Sequence, residues 1–329
     1  MNDVEELLTE SLHGRAAGAV DGVALLERAR SRGRSYRRRR RFLAGTGLLA
    51  ISAIVAVGAI TGTALWPSGG NSYGQGTGVV GALPEATGEP GARAEPDRVG
   101  TDVNLVHFDA PELTRTARHY DWTSGNGYEQ LEVGVGEQDL VYAAIGADMT
   151  VLDSLDRQNE VGVVVREQPV PGLWLRVQAT DDKLARQVIG ALDLDRVQRI
   201  VLPFQLGPLP EGARVVRASV GFVEGAYADG GVLLERARTD RMEVQAQYAP
   251  GQSGSTGRAN HVAGDRQAFL YPGQDEVELL GLKNLHLSAR IGKGDHQGFG
   301  VPEADLVLGA VQVATEVENI STWPETLTR

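Results

Sequence analysis

The chain of 329 residues contains no cysteine. Disulfides, thiolate zinc sites and cysteine nucleophiles are excluded together. Whatever folds must be held by buried apolar area, and some 230 residues after residue 100 are ample for one large core or two small ones. Catalytic patterns are missing too. The six histidines, His13, His107, His119, His261, His286 and His296, include no i, i+4 pair and no H-E-x-x-H. There is no S-x-x-K and no EF-hand spacing around the acidic candidates Asp193, Asp195 and Ala228-Asp-Gly-Gly. His107-Phe-Asp109 and Asp295-His296 place acid near imidazole, but adjacent residues such as Asp295 and His296 face opposite ways on a strand, and acid–imidazole pairs in loops are usually solvated. Aromatics make up only 5 % of residues, and among them Trp122, Trp174 and Trp323 are suited to line a pocket or, as large aromatics more often do, to fill a core. The sequence therefore names no catalytic, cofactor-binding or metal-ligating residue.

What the sequence has is one long apolar run. Phe42 to Trp66 carries no charged residue, and Arg37, Arg38, Arg39, Arg40 and Arg41 precede it. A hydrocarbon core needs about 20 apolar residues of helix, so this run is read as a single membrane span. Arginines beside a span stay on the cytoplasmic side, which places the N-terminus inside and residues 67–329 outside the membrane. Trp66 suits the far interface, and Pro67-Ser-Gly-Gly ends the helix. A cleaved signal peptide has a shorter apolar core, of about 7–15 residues. Arg39-Arg-Arg-Phe-Leu matches a twin-arginine export signal only as any arginine run would. Gly58 and Gly62 form one G-x-x-x-G pair, a weak dimerisation signal.

Charge divides unequally across this span. Residues 1–41 hold 10 Arg against 6 acids, and residues 67–329 hold 22 basic against 37 acidic residues. An outer domain this acidic is not expected to seek nucleic acid or an anionic membrane surface. Within the tail, residues 2–14 read as a short helix whose Val4, Leu8 and Leu12 form one apolar side, and a second runs from about Asp21 to Arg30. That side is either a docking face for a cytoplasmic protein partner or part of a segment that serves only to set topology. Residues 67–100 read as a flexible Gly/Pro tether. Their G-x-G-x-x-G, Gly76 to Gly81, lacks the strand before and the helix after that a dinucleotide fingerprint needs.

From Thr101 onward alternation dominates. Strands are expected at His119–Trp122, Tyr128–Val135, Leu140–Ile145, Val161–Glu167 and Leu173–Gln178, followed by a helix capped by Thr180 with a buried stripe of Leu184, Val188, Ile189 and Leu192. The order then repeats. Ile200–Leu206, Ala213–Phe222, Gly231–Arg238, Met242–Tyr248, Gln267–Tyr271, Glu276–Leu280 and Leu282–Ile291 read as strands, and Pro302–Glu316 as a helix with Leu306, Ala310, Val313 and Val317 in register. The fold class is α+β: a transmembrane helix plus an outer domain of two similar halves, about 101–199 and 200–320, each an antiparallel sheet with one helix, and a C-terminal tail from 321 to 329.

The layout carries a resemblance. The E-E-L-L-x-E-x-L-H segment at residues 5–13, the arginine run before one span, the Gly/Pro tether and the string V-L-P-F-Q-L-G-P-L-P-E-G-A-R at 201–214 resemble single-pass membrane proteins of actinobacteria whose own function is unassigned. These are similar in turn to membrane-bound anti-sigma factors and extracytoplasmic sensor proteins. The resemblance implies a regulatory membrane protein with an extracytoplasmic sensing or binding domain, against the alternatives of an envelope hydrolase and a structural envelope protein. The H-x-x-x-C-x-x-C zinc motif of many anti-sigma factors is absent, so no functional residue carries over.

Overall fold

The structure is a computed structural model that describes residues 82–135, 139–155, 162–223, 226–237, 239–248, 258–292 and 298–329, all within the unit Asn71–Arg329. The span at 42–66, the docking candidates Val4, Leu8 and Leu12, and Arg37 to Arg41 lie outside these residues. Among the described residues no helix is long and apolar enough to cross a membrane.

The strands are β1 (Leu105–Val106), β2 (His119–Gly125), β3 (Tyr128–Val135), β4 (Asp139–Gly146), β5 (Val163–Val170), β6 (Leu173–Ala179), β7 (Gln198–Arg199), β8 (Phe204–Gln205), β9 (Arg214–Val223), β10 (Ala226–Ala237), β11 (Asp240–Tyr248), β12 (His261–Ala263), β13 (Arg266–Leu270), β14 (Glu276–Leu279), β15 (Leu285–Arg290) and β16 (Gln312–Val313). Among the described residues four α-helices interrupt them: α1 (Pro111–Thr114), α2 (Met149–Asp153), α3 (Asp182–Ala191) and α4 (Val301–Gly309). The domain is β-rich, as the alternation predicts.

Twelve strands form one antiparallel sheet in the order β12-β13-β14-β15-β11-β10-β9-β2-β3-β4-β6-β5. The sequence reading expects two sheets. The structure joins them edge to edge, because β2 and β9, the first long strand of each succession, pair with each other from His119 opposite Val223 to Gly125 opposite Arg217. Two separate sheets would each leave an unpaired edge, and this pairing removes both. On either side the succession matches. β2, β3, β4, β5, β6 and α3 in one half correspond to β9, β10, β11, β14, β15 and α4 in the other, and the two-stranded ladders β1–β7 and β8–β16 correspond as well.

Local chemistry explains the hairpins. Between β2 and β3 the two-residue loop Asn126-Gly127 has positive φ at both positions, 58° and 80°, the mirror-image turn whose twist suits a hairpin. Between β5 and β6 the loop is Pro171-Gly172, with φ of 86° at the glycine, as a Pro-Gly turn requires.

One face of the sheet carries an apolar lane from β5 to β13. Val165, Val177, Ala143, Leu131, Trp122, Val220, Ala246, Leu287, Leu279 and Ala268 are all buried, and successive members oppose one another on neighbouring strands, with only Gly230 between Val220 and Ala246. Trp122 meets Phe108 edge-on at 5.1 Å, and Tyr120 stacks on Phe222 across the junction of the halves at 5.1 Å. Against this face lie α3, packed on β5 and β6, and α4, packed on β12, β14 and β15. Helix α3 is capped by Asp181, one residue beyond the expected Thr180; its carboxylate accepts from Leu184 N at 2.8 Å. Val188 and Ala185 are its buried residues, while Leu184 and Ile189 are only partly buried.

Helix α4 differs from expectation in phase and in length. It ends at Gly309 and buries Ala304, Val307 and Leu308; Leu306 is 46 % exposed, Ala310 lies past the last turn, and Val313 belongs to β16. The extension to Glu316 fails because β16 pairs with β8, so the chain straightens after the helix. Residues 82–100, read above as the end of a flexible tether, pack from Leu83 onward. Leu83, Ala92 and Val99 enter the core, and Ala86 joins Leu105 and Val197 in a small cluster.

Candidate functional site

The other face of the sheet is polar, buried towards its two ends, as at Arg176 and Glu278, and partly exposed at its centre. Residues that alternate with the core lane point here: Arg176 and Gln178 from β6, Tyr142 from β4, Gln130 and Glu132 from β3, Asp121 and Thr123 from β2, Arg217 and Ser219 from β9, Asp229 from β10, Gln245 and Gln247 from β11, and His286 and Ser288 from β15. At the junction of the halves Thr123, Gln130, Arg217, Ser219 and Gln245 are all partly exposed. Helix α2 covers one end, where Leu152 packs with Tyr128 and Ala144 and its Asp153 receives Arg166 at 2.7 and 2.9 Å.

Three features give this face its chemistry. The first is a buried network on β13 to β15. The Glu278 carboxylate is fully buried, accepts the Tyr271 hydroxyl at 2.7 Å and lies 3.1 Å from Nε2 of His286. Ser288 donates to Glu276 at 2.8 Å, and Arg290 reaches Glu243 at 3.5 Å. A carboxylate that orients an imidazole is half of an acid–base pair, but the Ser288 hydroxyl is directed to Glu276 and not to the ring.

The second feature lies at the centre of the sheet. Glu132, Asp121 and Asp229 share one lane across β3, β2 and β10, with Gly221 of β9 between the aspartates. A Cβ at Gly221 would lie 1.9 Å from Asp121 Oδ1 and 2.7 Å from Asp229 Oδ1, so both carboxylates lean over the glycine and a side chain there would have to displace them. The third is Arg176, 2 % exposed, whose Nη2 donates to Gln178 at 3.1 Å. Among the described residues no group of three or more metal-ligating side chains is placed to hold a metal ion.

The histidines noted in the sequence separate. His286 is on the polar face; the ring of His119 lies over Gly134; Nε2 of His261 meets Asp305 of α4 at 2.7 Å, fastening β12 to that helix. His107 is fully buried, and its Nδ1 lies 2.6 Å from the equally buried Glu129 of β3. His13 and His296 lie outside the described residues.

Asp109, Asp193 and Asp195 do come near one another. Asp109 and Asp193 exchange backbone hydrogen bonds at 2.9 and 2.8 Å, Arg196 approaches both carboxylates at 3.7 Å, and Arg93 reaches Asp195 at 2.9 Å beside a shallow cavity of about 290 Å³. Burial raises the carboxyl pKa of Asp109 despite the bond from Ala110 N. The Ala228-Asp-Gly-Gly segment, considered as an acidic loop, is strand β10. Trp122 and Trp323 are core residues, and Trp174 packs under α2.

Sequence reasoning missed Glu129, Glu278 and Tyr271. Glu129 had a signal: it occupies the parity that Leu131 and Val133 hold in the same strand, so its charge points into the core. Glu278 had none, since its parity is that of the polar face.

Comparison of the chain with protein-family models, with curated proteins and with solved structures gives no match.

Proposed function

We propose that this chain is a single-pass membrane protein with a cytoplasmic N-terminus, whose outer domain is a binding or sensing module and whose tail delivers a regulatory output, in the manner of membrane-bound anti-sigma and extracytoplasmic sensor proteins. The observation that carries the binding reading is the asymmetry of the sheet. One face is sealed by α3, α4 and the ladders β1–β7 and β8–β16, whereas the other presents partly exposed hydroxyl, amide and charged side chains across the junction of both halves. Such a surface supplies many directional hydrogen bonds over a broad area, which suits a polar ligand or a protein. The apolar run behind five arginines supports the topology.

Protease added to intact cells should remove the outer domain and spare the tail; a mature N-terminus near Leu65 would show a cleaved signal peptide and refute the single-pass reading. For the module itself, Ser219→Trp places bulk on the polar face at a partly exposed position. A strain carrying it should show the transcript profile of a deletion strain while the protein accumulates normally, as should one carrying Leu8→Asp in the tail. Wild-type profiles in both would remove the regulatory reading. A hydrolase is the second reading, favoured only by the His286–Glu278 pair; His286→Ala abolishing an envelope hydrolytic activity while leaving transcription unchanged would decide for it.

A further inference from the structure

The first described segment of the chain does not belong to the large sheet. It runs along the connector between the halves: Ala86 N donates to Val197 O at 2.9 Å, Arg199 N to Pro84 O at 2.8 Å, Arg93 N to Leu194 O at 3.2 Å, and Glu85 bridges Gln198. Further along, the same connector is held by the C-terminal residues, where Leu206 N donates to Leu327 O at 2.8 Å and Arg329 N to Leu206 O at 3.1 Å. Residues 82–110 thus form a strap between residue 81 and the sheet. Val99, Val106 and Phe108 of this strap enter the core under the sheet, Gly127 N donates to Gly100 O and Ser124 Oγ to Asp102 O, both at 3.1 Å, and one buried side chain of the sheet gathers three further donors. The carboxylate of Glu129 accepts Gly100 N at 2.9 Å, His107 N at 2.5 Å and stands 2.6 Å from His107 Nδ1, with both side chains fully buried. Three donors from two points of the strap converge on one carboxylate of β3.

The fastening is not fully satisfied. Nε2 of His107 is buried with no hydrogen-bond partner among the described residues, so the closed strap carries a polar atom that would gain water on opening. The sheet, by contrast, is paired strand to strand along its length and would keep its own hydrogen bonds if the strap lifted.

We propose that residues 82–110 open and close as one unit on an intact sheet, with Glu129 as the latch. This strap follows the apolar segment in the chain, so on the membrane-sensor reading, on which this last step alone rests, its opening is what the outer domain passes towards the membrane.

Hydrogen exchange on the full-length protein in detergent tests the latch independently of that reading. In wild type at low urea, the amides of Ala86, Ala92, Arg93, Leu105 and Asp109 should exchange together, ahead of those of β3, β9 and β10. Glu129→Gln keeps an acceptor oxygen but removes the charge; it should speed exchange across 82–110 by about tenfold or more while the central strands keep wild-type protection. Wild-type strap amides exchanging only with the sheet would overturn the proposal, even if the variant fails to fold, and so would acceleration spread equally over the domain. Failure of the topology experiment with this exchange pattern intact would leave the latch and remove only its link to the membrane.

Discussion

Tyr120 illustrates how far a single side chain is controlled by its surroundings. It lies in the core at the junction of the halves, and burial, with the nearby Asp109 carboxylate adding to it, pushes its phenol up to about 12. Tyr227 is buried, donates to Ala246 O at 3.1 Å and is raised well above its usual value for the same first reason. In the unfolded chain both ionise near 10. A raised folded pKa leaves stability untouched below about 10 and removes it as pH climbs from there towards the folded value, because only the unfolded chain releases the proton. Chemical denaturation between pH 9 and 12 should therefore show stability falling, and Tyr120→Phe should flatten that fall; an unchanged slope would mean that Tyr120 is accessible to hydroxide. Asp109 follows the same sign in its own range. Its raised carboxyl favours the fold below the ordinary Asp value near 4, and that advantage is lost as pH rises through the folded pKa.

At the level of elements, α4 exposes a position that the sequence spacing put in its buried stripe and buries one that the spacing left out. Leu308 is fully buried beneath the sheet, and Leu306, two residues earlier, is 46 % exposed. Leu308→Ala should cost about 2–5 kcal/mol, and Leu306→Ala should stay within about 0.5 kcal/mol, measured by urea denaturation. Equal costs would show that the helix is rotated from the position described. The error in the sequence reading has a plain cause: α4 is apolar almost all round, through Val301, Ala304, Leu306, Val307 and Leu308, so hydrophobic spacing could not choose its buried side. Helix α3 is more amphipathic, and there the residue at the centre of the expected stripe, Val188, is fully buried. The strands were legible for a similar reason. Period-two alternation in Tyr128–Val135 and Leu285–Arg290 assigns positions to faces, and the core parity of Leu131 and Val133 extends to Glu129, which is buried on that same face.

For the molecule as a whole, the pairing of β2 with β9 means that neither half has a complete boundary. Tyr120 and Trp122 of one half rest on Phe222 and Val220 of the other, and the C-terminal Leu327 N reaches back to the side chain of Asn104 at 3.3 Å. Residues 82–199 and 200–329 expressed separately should each aggregate or self-associate through the opened edge, and mixing them during refolding should restore a soluble complex. Two stable monomers would show that the junction is dispensable.

Composition and alternation alone determined that this protein has no cysteine chemistry, that its folded part is β-rich, and that one succession of elements follows another of the same kind. Those properties are local: charge, spacing and turn residues act within a dozen positions of the chain. Tertiary structure decided that the two successions share one sheet, that residues 82–100 are fastened and not free, and that Glu129 and Glu278 are buried carboxylates with chosen partners. Each of these depends on residues brought together from distant parts of the chain. A strand edge accepts any partner of suitable twist, and a carboxylate enters a core only where donors from elsewhere converge on it.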